Sequence, residues 1–138
     1  MPADLALLDT GVLVASLHRD DDDHERSAGA LREFRGTLFT TEAVLTESAY
    51  LLQRLRGGAE TCLEFFIRGG ATLVPSSRES LVRCKALVRE YADVPADLAD
   101  ATLVALAEEL DTFRIFSLDR RGFSVYRGEG GQRFDIRP

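Results

Sequence analysis

The stretch DLALLDTGVLVASL, residues 4–17, decides the fold. It opens as a short unbroken apolar run closed by a carboxylate. Such a run, bounded by a turn signal, reads as a strand buried on both faces. Residues 4–9 (DLALLD) are therefore expected to form a strand, and Thr10 to Leu17 a short helix with Asp9 or Thr10 at its start.

The same alternation recurs outward from this unit. RDDDDHERSAGALREF begins polar and then sets Ala28, Leu31 and Phe34 at helical spacing, which predicts a helix over about 23–35. TLFT (37–40) is a short strand. Thr41 and Glu42 start a helix that runs to about Leu55, where Gly57-Gly58 ends it; a further helix covers about 59–68 and stops at Gly69-Gly70. ATLVP (71–75) reads as a strand, and Ser76 or Ser77 caps a helix over about 78–91. DVPAD (93–97) breaks the pattern, and Asp97 caps a helix over about 98–110. FRIFSL (113–118) is a strand, and the tail from Phe123 is a final short strand or hairpin near the sheet edge. Apolar strands alternating with helices predict an α/β fold, a parallel sheet covered by helices on both faces. Ligands in such sheets bind beyond the carboxyl ends of the strands, where strand order reverses. Asp9 and Asp119 both sit at such ends.

Whole-chain properties narrow the function. With 138 residues and no repeat, low-complexity tract or long linker, residues 1–138 are expected to form a single domain. A chain 45% hydrophobic and 29% charged is globular rather than disordered. No apolar run approaches the roughly 20 residues that span a bilayer. MPADLALLD is acidic and lacks the layout of a signal peptide, so a cytoplasmic protein without a membrane partner is expected. Cys62 and Cys84 belong to no CxxC pair and read as reduced thiols acting as small hydrophobes. A net charge of −6 opposes a broad nucleic-acid-binding surface. Divalent ions held by acids would reverse the sign locally. The basic residues are nearly all Arg, Lys85 being the only lysine, and Arg suits bidentate phosphate contacts.

Four acids stand beside or inside apolar runs, where a carboxylate is costly without compensation. Asp9 closes LALLD, either as a helix cap or as a ligand fixed by a rigid strand. Glu42 lies in a first helical turn, where its charge suits the helix dipole. Glu47 is mid-helix and shares a stripe with Val44, Ser48, Leu51 and Leu55, so it faces the core side. Asp100 lies within a helix that is apolar almost all round. Asp97, one turn earlier, is its N-cap or an outer ligand. Asp119 follows a strand, in a position equally suited to a turn aspartate before Gly122.

In combination these acids need compensation, for which a bound cation is the leading candidate. Two unit charges about 4 Å apart interact by roughly 4 kcal/mol at an effective dielectric of 20. Several such pairs exceed a domain stability of about 5–15 kcal/mol, so the acids share protons or hold an ion. Oxygen ligands without His or Cys select Mg²⁺ or Mn²⁺. Such ions lower the pKa of a bound water and orient a phosphate, which makes phosphodiester hydrolysis the expected reaction. The remaining polar groups carry less. DDDDH (20–24) reads as a solvated loop and helix start, and His18 and His24 as surface residues. Thr10 and Ser117 are hydroxyls beside Asp9 and Asp119, there to cap or to hold a ligand carboxylate. Arg120, Arg121 and Arg127 either contact an RNA backbone or are solvated.

Four segments in order resemble the PIN-domain family, in particular VapC-type toxins of bacterial toxin–antitoxin pairs. LLDTGVLVASL carries the first acid, Asp9; EAVLTESAYLLQRL the mid-helix acid, Glu47; LADATLVALAEEL an Asp-Ala motif, Asp100; and IFSLDRRGFSVYR the closing acid, Asp119. Ser117 stands where threonine is more usual. The resemblance covers nearly the whole chain. It implies a PIN-like three-layer α/β/α sandwich with a mainly parallel sheet, and a Mg²⁺- or Mn²⁺-dependent ribonuclease. It also implies a homodimer and an inhibiting antitoxin whose tail enters the site. Two rivals share single features. Asp9-Thr10-Gly11 is also the aspartic-protease triplet, but that fold is almost entirely β. A non-catalytic PIN-like or phosphate-binding regulatory module would also cluster acids; a phosphate receiver needs a lysine near them, and only Lys85 is available.

Overall fold

The computed structural model describes residues 4–94 and 97–138. Met1 to Ala3 of the acidic N-terminus, and the Pro95-Ala96 part of the expected break, lie outside the described residues. Five strands form one sheet: β1 (Leu5–Leu8), β2 (Thr37–Thr40), β3 (Thr72–Leu73), β4 (Arg114–Phe116) and β5 (Asp135–Arg137). Their order is β3-β2-β1-β4-β5, and every pairing is parallel. The chain moves outward from β1 to β3 and then returns to place β4 on the other side of β1. Strand order therefore reverses between β1 and β4, the two strands that lead into Asp9 and Asp119.

Successive residues of β1 face opposite sides, which builds the layers directly. Leu7 packs with Ile115, Val44, Leu103, Phe123 and Tyr126; Ala6 and Leu8 pack with Val12, Leu13, Leu38, Cys62 and Phe116. The first layer holds α5 (Arg78–Glu90), α6 (Leu98–Leu110) and the short α7 (Arg120–Phe123). The second holds α1 (Thr10–Leu17), α2 (His24–Glu33) and α4 (Gly58–Ile67). Helix α3 (Glu42–Leu52) serves both, with Val44 on one side and Leu45, Ala49 and Leu52 on the other. Cys62 and Cys84 are free, buried and in different layers, as expected of small hydrophobes. No helix among the described residues is long and apolar enough to cross a membrane.

Several expectations need correction. Strand β3 is two residues long, not five, although Val74 N–H extends the ladder to the Thr40 carbonyl at 2.9 Å. Helix α3 ends at Leu52, and its buried stripe is Val44, Ser48, Leu52; Leu51 is 40% exposed. The tail forms the edge strand β5, preceded by an unforeseen one-turn helix that Asp119 caps by accepting Gly122 N–H at 3.0 Å. His18 and His24 are half-buried rather than freely solvated. His24 Nδ1 meets the Ala15 carbonyl at 2.8 Å, tying the acidic loop back to α1, and His18 Nδ1 is buried with no partner among the described residues.

Candidate active site

Asp9 is where strand, cap and site coincide. Its N–H donates to the Phe116 carbonyl at 2.9 Å and so continues β1 along β4. Its carboxylate caps α1, Oδ1 accepting Thr10 N–H at 2.8 Å, and Oδ2 accepts the Ser117 hydroxyl at 2.7 Å. Ser117 also accepts Asp119 N–H at 3.0 Å. One buried hydroxyl thus joins the acid that ends β1 to the acid that follows β4. Asp9 is only 6% exposed, and burial raises its carboxyl to about 6; the Ser117 and Thr10 hydrogen bonds pull down, and the charges of Asp119 and Glu47 push up.

Asp100 enters from the first turn of α6. Its N–H donates to Asp97 Oδ1 at 2.9 Å, which makes Asp97 the N-cap of this helix and leaves it exposed. The Asp100 carboxylate is partly buried and accepts the Tyr126 hydroxyl on Oδ2 at 2.9 Å. Burial raises Asp100 to about 7, helped by the charges of Asp9, Asp97 and Asp119 and opposed by the Tyr126 hydrogen bond. Burial and the Asp100 charge in turn push the Tyr126 phenol far above its ordinary value, so it remains a donor at every working pH. Glu47 is half-buried on α3 and lines an open cleft of about 510 Å³ with Thr46, Tyr50, Asp97 and Leu98. Asp119 lines a second cleft, of about 350 Å³, with Asp93, Arg121 and Tyr126.

The four acids form one electrostatic group, because Asp9 feels Asp119 and Glu47, and Asp100 feels Asp9 and Asp119. None of the four pairs with a cationic side chain among the described residues; the ion pairs lie elsewhere, at Arg26–Asp23, Arg68–Glu64, Arg83–Glu108 and around Asp135. Like charges gathered without a counter-charge, with two carboxyls displaced toward neutrality, suit a divalent ion. The donor set is all oxygen, which suits Mg²⁺ or Mn²⁺. The spacing is looser than a closed cage: among the described residues, no three acidic, His or Cys side chains stand close enough to grip one ion as placed.

The other predicted positions divide. Ser117 bridges two acids, whereas Thr10 Oγ1 is buried without a partner among the described residues, and Thr10 contributes its backbone N–H instead. Arg120 donates to the Pro138 carbonyl, and Arg127 to the Ser124 and Tyr126 carbonyls at 2.7 and 2.9 Å. Arg121 is exposed and lines the cleft beside Asp119. Lys85 is exposed on α5. Tyr126 has no counterpart among the residues singled out from sequence. Its only signal is membership of the closing segment IFSLDRRGFSVYR, where nothing marks it as a partner of Asp100.

A PIN domain profile matches residues 6–129. The chain is 31% identical over 134 residues to Ribonuclease VapC26 of Mycobacterium tuberculosis, covering 96% of this chain and 99% of that protein. Its fold superposes on the crystal structure of M. tuberculosis VapC20, described as a sarcin-ricin loop cleaving toxin, with a TM-score of 0.78 at 16% identity, covering 96% of this chain and 99% of the other. It also superposes on VapBC2 from Rickettsia felis bound to a promoter DNA fragment, with a TM-score of 0.69 at 13% identity over 98% of this chain and 100% of the other. A toxin–antitoxin complex from Klebsiella pneumoniae gives 0.67 at 18% identity over 87% and 91%. The profile match and the VapC26 relationship both span nearly the whole chain, and the four acids fall at the strand and helix positions just described: the chain belongs to the PIN-domain family.

Proposed function

We propose that this protein is a VapC-type toxin, an endoribonuclease that hydrolyses RNA phosphodiesters with Mg²⁺ or Mn²⁺. The observation that carries the reading is the group of four carboxylates, contributed by the β1–α1 junction, α3, α6 and the β4–α7 turn, that lacks any cationic partner among the described residues. Its similarity to a relative named as a ribonuclease supplies the substrate class.

Asp9, Glu47, Asp100 and Asp119 are the residues to hold the ion. When bound, the ion supplies positive charge to the phosphate and a water of lowered pKa. The chain's own part is placement. Asp9 is held by Ser117 and Thr10, and Asp100 by Tyr126, so both carboxylates are oriented before substrate arrives. Asp97 fixes the start of α6 and stands at the edge of the Glu47 cleft as an outer acid. Arg121 is best placed to meet an RNA phosphate, with Arg120 and Arg127 as flanking charges held on main-chain carbonyls. One cleft is lined by Glu47 and Asp97 and the other by Asp119, so each opens beside an acid of the group. Two structural neighbours are toxin–antitoxin assemblies, which supports a cognate antitoxin here; a homodimer follows from the same family reading.

The test is cleavage of single-stranded RNA by the purified protein. Cleavage is expected to vanish in EDTA and return with Mn²⁺ or Mg²⁺ in excess. Cleavage indifferent to EDTA refutes the metal-dependent reading. RNA binding without cleavage at saturating Mn²⁺ favours the non-catalytic PIN-like scaffold, for which the loose spacing of the acids is the supporting observation.

A further inference from the structure

We propose that Tyr126 is a positioning residue for Asp100, holding its carboxylate in one orientation within the acid group; this rests on the metal-dependent reading above. The tyrosine hydroxyl donates to Asp100 Oδ2 at 2.9 Å, across 26 residues of sequence. No other side chain hydrogen-bonds the Asp100 carboxylate among the described residues, so Oδ1 is left to a ligand.

The ring that carries this hydroxyl cannot turn away. Tyr126 is 1% exposed. Tyr91 and Phe123 meet it edge-to-face, each with centroids 5.1 Å away at 73° and 89°. Tyr91 is itself fixed, its hydroxyl accepting Arg127 N–H at 3.0 Å. On the remaining side lies Gly122, where a Cβ would stand 3.0 Å from the Tyr126 hydroxyl and 2.5 Å from Asp119 Oδ2. The absent side chain at Gly122 lets Tyr126 and Asp119 approach the same point.

Ordinary core packing accounts for the ring but not for the choice of partner. A buried phenol needs an acceptor, and a backbone carbonyl would satisfy it. This one takes a carboxylate of the acid group. A neutral donor stabilises and orients a carboxylate without cancelling its charge. An arginine in the same place would form an ion pair and compete with the cation. Partners that orient metal-binding carboxylates in this way are typically worth about 10–100-fold in metal affinity or activity.

Tyr126→Phe removes one oxygen and keeps the ring. Mn²⁺ affinity of the purified protein, measured by calorimetry without RNA, is expected to fall about ten-fold. In RNA cleavage kcat is expected to fall by a similar factor with KM unchanged. In an Asp100→Asn background Tyr126→Phe should have no further effect on Mn²⁺ binding. Tyr91→Phe is the control, since it removes a neighbouring hydroxyl that does not touch an acid. Wild-type Mn²⁺ affinity and kcat in Tyr126→Phe, while Asp100→Asn loses both, overturns the proposal alone. So does an equal loss in Tyr91→Phe, which would assign the effect to packing. Absence of Mn²⁺ binding and of cleavage in the wild type overturns this proposal together with the reading beneath it.

Discussion

Asp100→Asn is expected to lower RNA cleavage by at least about 10²–10³-fold, the scale on which one group aimed at transition-state charge is felt, and yet to raise the melting temperature of the ion-free protein at pH 8. The second half follows from the raised carboxyl. Asp100 sits at about 7 in the fold against an ordinary value of 3.8. The folded state therefore binds this proton more tightly than the unfolded chain does. Stability drawn from the group is fully present below pH ~4 and is lost as pH rises through ~7. Asparagine cannot ionise and removes that loss. It also keeps an acceptor for the Tyr126 hydroxyl, and the Asp100 N–H bond to Asp97 is backbone and survives. The melting curves of the two proteins in EDTA should diverge between about pH 4 and 7 and stay apart above it, with the variant the more stable. Added Mn²⁺ should then raise the wild type, because an ion that binds only the folded state stabilises it, and raise the variant less. A variant that melts below the wild type at pH 8 in EDTA would mean that the ionised carboxylate supports the fold by itself.

This opposition between stability and use explains which parts of the site were legible from sequence. An acid inside LADATLVALAEEL is conspicuous because burial makes it expensive, and that expense is what the raised Asp100 carboxyl records. Asp9 was legible for a geometric reason. A strand that runs directly into a helix must place its last residue at the sheet's carboxyl edge, and the same residue then caps the helix. The cap and ligand readings of Asp9 are not exclusive, since Oδ1 accepts the cap bond and Oδ2 faces Ser117. Glu47 was legible only as a position on a stripe. Apolar residues at Leu51 and Leu52 fit a helical period almost equally, and only the packing of α3 between two layers shows that Leu52 is the buried one. Short strands carry too few residues to mark their own ends, which is why β3 was overextended. Helix α6, with a capping aspartate and a long apolar run, fell at its expected bounds. Tyr126 was invisible for a deeper reason: its partner lies on another element, and a single sequence holds no signal for a contact that only the sheet topology creates.

Ser117→Ala is expected to slow cleavage roughly 10–100-fold and to move the acid side of the rate–pH curve upward, whereas Ser117→Thr, which keeps the hydroxyl, should retain activity. Ser117 is 1% exposed and serves two acids with one oxygen, donating to Asp9 and accepting from Asp119 N–H. Alanine leaves that part-buried N–H without its acceptor, a cost at the low end of about 1–3 kcal/mol. It also removes the larger of the two hydrogen bonds that pull Asp9 down, so the Asp9 carboxyl rises beyond its present value of about 6. More of the protein then carries a neutral Asp9 at a given pH, and a neutral carboxyl neither holds a cation nor orients one. The sign differs from that of a simple packing defect. Lost packing would lower stability at all pH values alike. Here the ion-free variant should lose most relative to wild type at high pH, where Asp9 is forced to ionise without its donor, and the gap should narrow as pH falls through the variant's raised Asp9 value to about 6, below which both proteins carry the proton. Melting temperatures across pH 5–8 and cleavage rates at saturating Mn²⁺ measure both halves. A Ser117→Ala protein whose rate–pH curve superimposes on the wild type would show that Asp9 is oriented by Thr10 N–H alone, and that the hydroxyl between β1 and β4 serves the fold rather than the site.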